Sequence, residues 1–345
     1  MWRALALGLI STALSAGTLN QIALAPLPQA AAGNAVARVE IAGRVRMFSF
    51  FGINGEMQPG NLLRHAAEFD ADFGNWHALP PVPGEGRVGA SAIGVNGKVY
   101  LMGGYTLNKD GDAQALADVW RYEPLRQQFE RLPALPTPVF DSAVIGFKQR
   151  YLLVMSGRNA AGGVNEVQIL DIIAEKWLPP APFVGTPLYG HSAGAIDNLI
   201  VLCGGAKPTA AVVRTECYSG LINEKNVQDI RWKVLPAIDG AGRLFAGATG
   251  TRINGQHVVF AGGSLAWHQL NGTDHDARPV SAHDEVVAYN VALQRWERWG
   301  RLPISGLNYR GLLELNGGLV TLGGIERNLR VTQAVRRFEP PLVQN

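Results

Sequence analysis

The sequence predicts an all-β chain folded as a six-bladed β-propeller with four antiparallel strands per blade. Gly and Pro, 41 and 20 of the 345 residues, set turns at short intervals and leave little room for long helices. A unit of about fifty residues recurs down the chain, the length of one blade-sized repeat. Within each unit short apolar runs alternate with tight polar turns, and the last run is built around an aromatic residue.

Composition narrows the rest. With 47% apolar and 17% charged residues, the chain can bury a sizeable core and is not intrinsically disordered. A net charge of +3 without Lys/Arg runs makes nucleic acid an unexpected partner.

Met1-Trp2-Arg3 and the apolar stretch Ala4 to Ala16 read as a secretory signal peptide over residues 1–17, with small residues suited to cleavage at its end. The stretch is shorter than the roughly 20 apolar residues that span a bilayer, and no later run approaches that length. A periplasmic or secreted protein without a membrane span is therefore expected, with residues 18–345 as a single propeller. Gln21 to Pro28 resembles the fourth strands of later units and is expected to close the ring, in competition with the chain end Pro341 to Asn345.

Ala90 to Gly104 and His191 to Gly205 show the unit plainly: a strand, a polar turn, an apolar strand and two glycines. It recurs over Ala246 to Gly263 and Arg310 to Gly324, and in degenerate form at Phe48 to Gly52 and Leu152 to Gly157. Fourth strands are marked by Trp76, Phe129, Trp177, Trp232 and Trp296. Each such sheet has two apolar faces and cannot bury them alone, so blades must stack around an axis. The glycines admit close approach of the next blade. Cys203 and Cys217 fall on neighbouring strands, where one disulfide and two separately buried thiols are both open.

In such a blade the linker entering the inner strand and the loop joining strands two and three open on the same rim. Repeat alignment puts Arg87 and Arg243 in one column, and Asp141, His191 and Arg310 in another three residues later. Charge at the start of an inner strand is costly unless solvated or paired, which suggests a polar pocket at the channel mouth. The alternative is that such Arg residues bridge neighbouring blades through backbone carbonyls. Blade 4 adds Lys207 and Arg214 from its rim loop. Blade 5 carries a long insertion, Ser264 to Glu285, with Trp267, His268, Asp274, His275, Asp276, Arg278, His283 and Asp284. Its length suggests a solvated lid, and its His and Asp spacing matches no metal-ligand pattern, so neither a metal nor a cofactor is expected. The chain has no Gly-x-Ser-x-Gly elbow and no phosphate-cradling Gly-rich loop followed by Lys-Ser/Thr.

The Gly-Gly, Tyr and Trp spacing resembles the kelch repeat over nearly all of the chain. Gly205-Ala-Lys-Pro208 followed by Arg214-Thr215, the Leu-Pro opening after the signal peptide and the extended blade 5 loop resemble the exported bacterial sialic acid mutarotases. That resemblance implies interconversion of N-acetylneuraminate anomers in the periplasm, with Arg214 on the family's substrate-binding arginine. It also puts Gly205 where the family has its catalytic glutamate. Mutarotation needs a base, an acid and a cation for the sugar carboxylate. His191, Asp141 and Glu216 are the candidate bases; Arg214, Arg87, Arg243, Lys207 and Arg310 are the candidate anchors. The competing expectation is a noncatalytic propeller that presents its rim to a protein or glycan partner.

Overall fold

Each repeat folds into a four-stranded antiparallel sheet because its apolar second strand, flanked on both sides, is covered on both faces. Runs such as Lys98–Met102, Leu199–Cys203 and His257–Ala261 are almost wholly buried. In the computed structural model residues 17–55, 60–208, 210–238, 242–269, 272–274, 276–326 and 329–341 are described. Residues 1–16 of the expected signal peptide lie outside that range.

From axis to rim, blade 1 comprises Ala35–Ile41, Arg44–Phe50, Ala66–Asp70 and Asn75–Ala78. Blade 2 comprises Ser91–Val95, Lys98–Met102, Val119–Glu123 and Gln128–Leu132. Blade 3 comprises Ala143–Phe147, Tyr151–Met155, Glu166–Asp171 and Lys176–Pro182. Blade 4 comprises Ser192–Ile196, Leu199–Cys203, Cys217–Asn223 and Asn226–Leu235. Blade 5 comprises Gly247–Thr251, His257–Ala261, Glu285–Asn290 and Arg295–Arg301. Blade 6 comprises Leu313–Leu315, Gly318–Leu322 and Val335–Phe338, and its outer strand is the N-terminal Gln21–Leu24. The ring thus closes as expected from the N-terminal side, in register from Gln21 opposite Phe338 to Leu24 opposite Val335.

The cores lie between blades. Ile145, Leu153 and Ile169 of blade 3, for example, pack on Ile200, Leu202 and Ile222 of blade 4. Two hydrogen-bond patterns lock the stack. The second residue of each glycine pair donates its N–H to the linker of the next blade: Gly52 to Arg87, Gly104 to Val139, Gly157 to Leu188, Gly205 to Arg243, Gly263 to Gly306 and Gly324 to Ala31. Both members of each pair have positive φ, and a Cβ on Gly103, Gly204 or Gly323 would collide with the very carbonyl its partner bonds. On the outside, the indoles of Trp76, Trp177, Trp232 and Trp296 donate to carbonyls of the preceding blade at Ala25, Pro133, Pro182 and Pro236.

Small residues on the inner strands leave a central channel of about 540 Å³, lined by Ala37, Gly94, Ala143, Gly194, Ala248 and Gly250 among others. Cys203 and Cys217, directly opposite in the register of blade 4, form a disulfide. Short ribbons unresolved in the sequence rise from the rim of blades 2, 3 and 4, at Tyr105–Leu107 with Ala113–Ala115, Arg158–Asn159 with Gly162–Gly163, and Ala206–Lys207 with Ala210–Val213. Among the described residues no helix is long and apolar enough to cross a membrane.

Candidate functional site at the channel mouth

Just before each inner strand one residue per blade joins a backbone belt around the mouth. Gly89 N–H donates to Gly33, Asp141 to Gly89, Gly190 to Asp141, Phe245 to Gly190 and Tyr309 to Phe245, at 2.7 to 3.2 Å. The first five belt residues have positive φ, from +56° at Asp141 to +67° at Gly89. Glycine adopts that conformation freely, Asp tolerates it, and for Phe245 it is an outlier that the belt enforces. Gly89 also makes room for its neighbour, since a Cβ there would sit 2.7 Å from Asp141 Oδ1.

Asp141 is the belt's carboxylate, and two guanidinium groups converge on it. Arg310 Nη1 donates to Asp141 Oδ1 at 2.5 Å, and Arg158 Nη2 donates to Oδ2 at 3.3 Å. The Arg310 pair joins blade 6 to blade 3, which face each other across the ring, so it forms a bar over the channel. Each guanidinium is also stacked. Arg310 lies over Phe245 at 4.0 Å and its Nε donates to Asn308 Oδ1; Arg158 lies over Tyr189 at 3.9 Å and Phe140 at 5.0 Å. The Asp141 and Arg310 side chains are 2% and 10% exposed, whereas Arg158 is 28% exposed. Tyr105 packs on Phe140 at 4.6 Å, and burial, together with the nearby Asp141 charge, drives its hydroxyl well above the usual tyrosine range.

Sequence reasoning missed Arg158. It follows the degenerate pair Ser156-Gly157, where the other blades carry Ile53, Tyr105, Ala206, Ser264 and Ile325; a charged residue in that column was the available signal. Asp141 also sits one position earlier than expected: its belt equivalents are Gly190 and Tyr309, not His191 and Arg310.

Arg87 and Arg243 do share a column, but the structure places both in the packing rather than at the mouth. Arg87 is 1% exposed, pairs with both carboxylate oxygens of Asp118 at 2.8 Å and donates to the Gly103 carbonyl. Burial alone would raise the Asp118 carboxyl, yet Arg87 prevails and holds it below the usual range. Arg243 instead donates to the Glu285 and Gly262 carbonyls, with the Glu285 carboxylate 4.0 Å from its Nη2, and burial pulls its guanidinium down to about 10 against the Glu285 and Asp284 charges. Both fasten the linker to the blade it enters, rather than bridging neighbouring blades as the competing reading had it.

His191 lines the channel, but its ring is buried beside Phe183 at 6.0 Å with neither nitrogen in a good hydrogen bond. Burial lowers its pKa to about 4, so it is neutral at physiological pH. Arg214 and Glu216 stand at the entry to the third strand of blade 4, paired through Arg214 Nε to Glu216 Oε2 at 2.9 Å and through Nη2 to Oε1. Lys207 is half-buried on the facing arm of that ribbon. Gly205 has φ +82°, and a Cβ there would lie 2.8 Å from that of His191.

The blade 5 insertion is more built than expected. Ser264 pairs with Ala282 and Thr273 with Pro279, while Asp274 Oδ1 accepts from the N–H groups of Asp276 and Arg278. His268 is buried beside Phe245 at 5.6 Å, its Nδ1 at 2.6 Å from the Gln269 carbonyl; burial, helped by Arg310, lowers its pKa. His275 lies outside the described residues. No group of three or more His, Cys, Asp or Glu that could hold a metal ion occurs among the described residues.

Residues 86–136, which span the glycine pair, the third strand and the fourth strand of blade 2, match the Kelch motif. The fold is a kelch-type propeller. The solved structure of YjhT superposes on it with a TM-score of 0.71 at 16% identity, covering 90% of this chain and 95% of that one. The propeller is similar to the N-acetylneuraminate epimerase of Yersinia enterocolitica serotype O:8 / biotype 1B, at 25% identity over 78% of this chain and 79% of that protein. It is also similar to the N-acetylneuraminate epimerase of Haemophilus influenzae (strain PittEE), at 26% identity over 72% and 76%. Kelch domain-containing protein 3 of Homo sapiens matches at 22% identity over 68% of this chain and 64% of its own length.

Proposed function

We propose that this kelch propeller binds an acidic sugar of the N-acetylneuraminate class at the mouth of its channel and interconverts the sugar's anomers. The observation that carries the reading is the convergence of two aromatic-stacked guanidinium groups, Arg158 and Arg310, on Asp141 at the channel mouth. Their planar forks suit a carboxylate, and the stacking holds them in place before a ligand arrives. Arg214 and Lys207 reach the rest of the sugar from the blade 4 ribbon, and Glu216 orients Arg214. Asp141 is the proton-transfer group, since Gly205 cannot accept a proton and the His191 ring is buried against Phe183. The Cys203–Cys217 disulfide supports export to an oxidising compartment.

Titration calorimetry with N-acetylneuraminate tests the anchor. Arg158→Ala and Arg310→Ala should each weaken binding by about tenfold or more, in line with the loss of a charge-assisted hydrogen bond. Unchanged affinity in both variants would remove the proposed carboxylate site. A second reading, a noncatalytic binding propeller, is favoured by Gly205 and by the likeness to Kelch domain-containing protein 3. Anomer exchange followed by one-dimensional NMR separates the two, because a scaffold leaves the spontaneous rate untouched.

A further inference from the structure

At the mouth the candidate base is locked by the groups that would bind the substrate. Asp141 accepts from both Arg310 and Arg158 and is 2% exposed, so it is poorly placed to take a proton from a sugar. Each of the two guanidinium groups has a hold besides Asp141. Arg310 is held by Asn308 and the Phe245 face, Arg158 by Tyr189 and Phe140. The belt fixes the backbone on both sides of Asp141, through its N–H to Gly89 and its carbonyl to Gly190. With its backbone pinned, Asp141 can leave the two guanidinium groups only by rotation of its side chain. The charge balance agrees: among the described residues of this cluster two cations face one anion, which leaves room for one more carboxylate.

Resting on the acidic-sugar reading above, we propose that Asp141 is the resident stand-in for the ligand carboxylate, and that only a carboxylated sugar releases it to act as base. The sugar carboxylate meets Arg158 first, as the more exposed cation, and takes the place of Asp141 between Arg158 and Arg310. The freed Asp141 carboxylate then accepts the proton of the anomeric hydroxyl. The O–H electron pair forms the carbonyl, the bond from the anomeric carbon to the ring oxygen breaks, and the ring oxygen takes a proton from a water molecule. Reclosure on the other face reverses each transfer, returning the proton from Asp141 to the anomeric oxygen and restoring the water. Specificity for acids thus lies in the release of the base as well as in binding. A neutral hemiacetal sugar that enters the mouth finds Asp141 still tied to Arg310.

The test compares N-acetylneuraminate with N-acetylmannosamine, which carries no carboxylate, by NMR anomer exchange at high sugar concentration. The wild-type protein should accelerate exchange of the acid and leave the neutral sugar at its spontaneous rate. Arg310→Ala should lower the rate with the acid at least tenfold and raise the rate with the neutral sugar several-fold above wild type. Asp141→Asn should abolish both effects. Arg310→Gln serves if the alanine variant loses its circular dichroism spectrum. A wild-type protein that accelerates both sugars equally, or Arg310 variants that gain nothing with the neutral sugar, would overturn the release model while leaving the acidic-sugar site intact. Absence of N-acetylneuraminate binding by calorimetry would overturn both.

Discussion

At the level of single residues, the partners of each buried polar group decide which candidates are gathered at the mouth. Arg87, Arg243 and His191 have the residue types and the repeat positions of a binding site, yet their side chains are buried against partners within the packing. Their types and columns were legible in the sequence. Their partners were not, because Asp118 lies 31 residues from Arg87 and Phe183 approaches His191 only when blades 3 and 4 stack. His191 gives a prediction at this scale. Its folded pKa of about 4 is below the ordinary value of 6.5, so the unfolded chain binds more protons between those values. Stability from this group is complete above pH 6.5 and declines as the pH falls toward 4. His65, also lowered by burial to about 4, acts in the same direction. Urea midpoints of His191→Phe should fall less steeply than wild type over that window, and parallel curves would assign the pH dependence elsewhere.

At the level of elements, the repeat provides its own control. The register that joins Cys203 to Cys217 in blade 4 joins Phe50 to Ala66, Met102 to Val119, Met155 to Val167, Ala261 to Val286 and Leu322 to Val335 in the other blades. Five blades form with apolar pairs there, so the disulfide is not needed to make a blade. It closes a loop with a sequence separation of 14, which bears the ribbon carrying Lys207 and Arg214. By loop-closure entropy Cys203→Ala/Cys217→Ala should cost about 3 kcal/mol in urea unfolding while the far-ultraviolet spectrum stays unchanged. An unchanged midpoint would show that backbone bonds such as Gly204 to Glu216 suffice to pin the ribbon base. The sequence placed the two cysteines on adjacent strands and left their bonding open, because pairing depends on register and a shift of one residue turns a side chain to the other face.

At the level of the whole molecule, stability depends on closure. Each blade buries its faces only against two neighbours, and blade 6 lacks an outer strand until Gln21–Leu24 returns to it. The same N-terminal segment sinks Leu19 and Leu27 into the packing, where each contributes about 2 kcal/mol of apolar burial. A chain lacking residues 18–28 should therefore lose about 4 kcal/mol or more, and urea unfolding followed by tryptophan fluorescence measures it. A full-length midpoint in the truncated chain would mean that another segment closes the ring.

The sequence by itself determined the number of blades, the glycine pairs and the tryptophan-bearing outer strands, and it narrowed the closing strand to two segments. These are set by short-range patterns of apolar residues and turns that repeat regardless of what faces them. Only the tertiary structure decided which charged residues meet. Asp141 and Arg310 are 169 residues apart and become partners because blades 3 and 6 stand opposite each other across the channel. Ring geometry brings them together, and no local pattern encodes that.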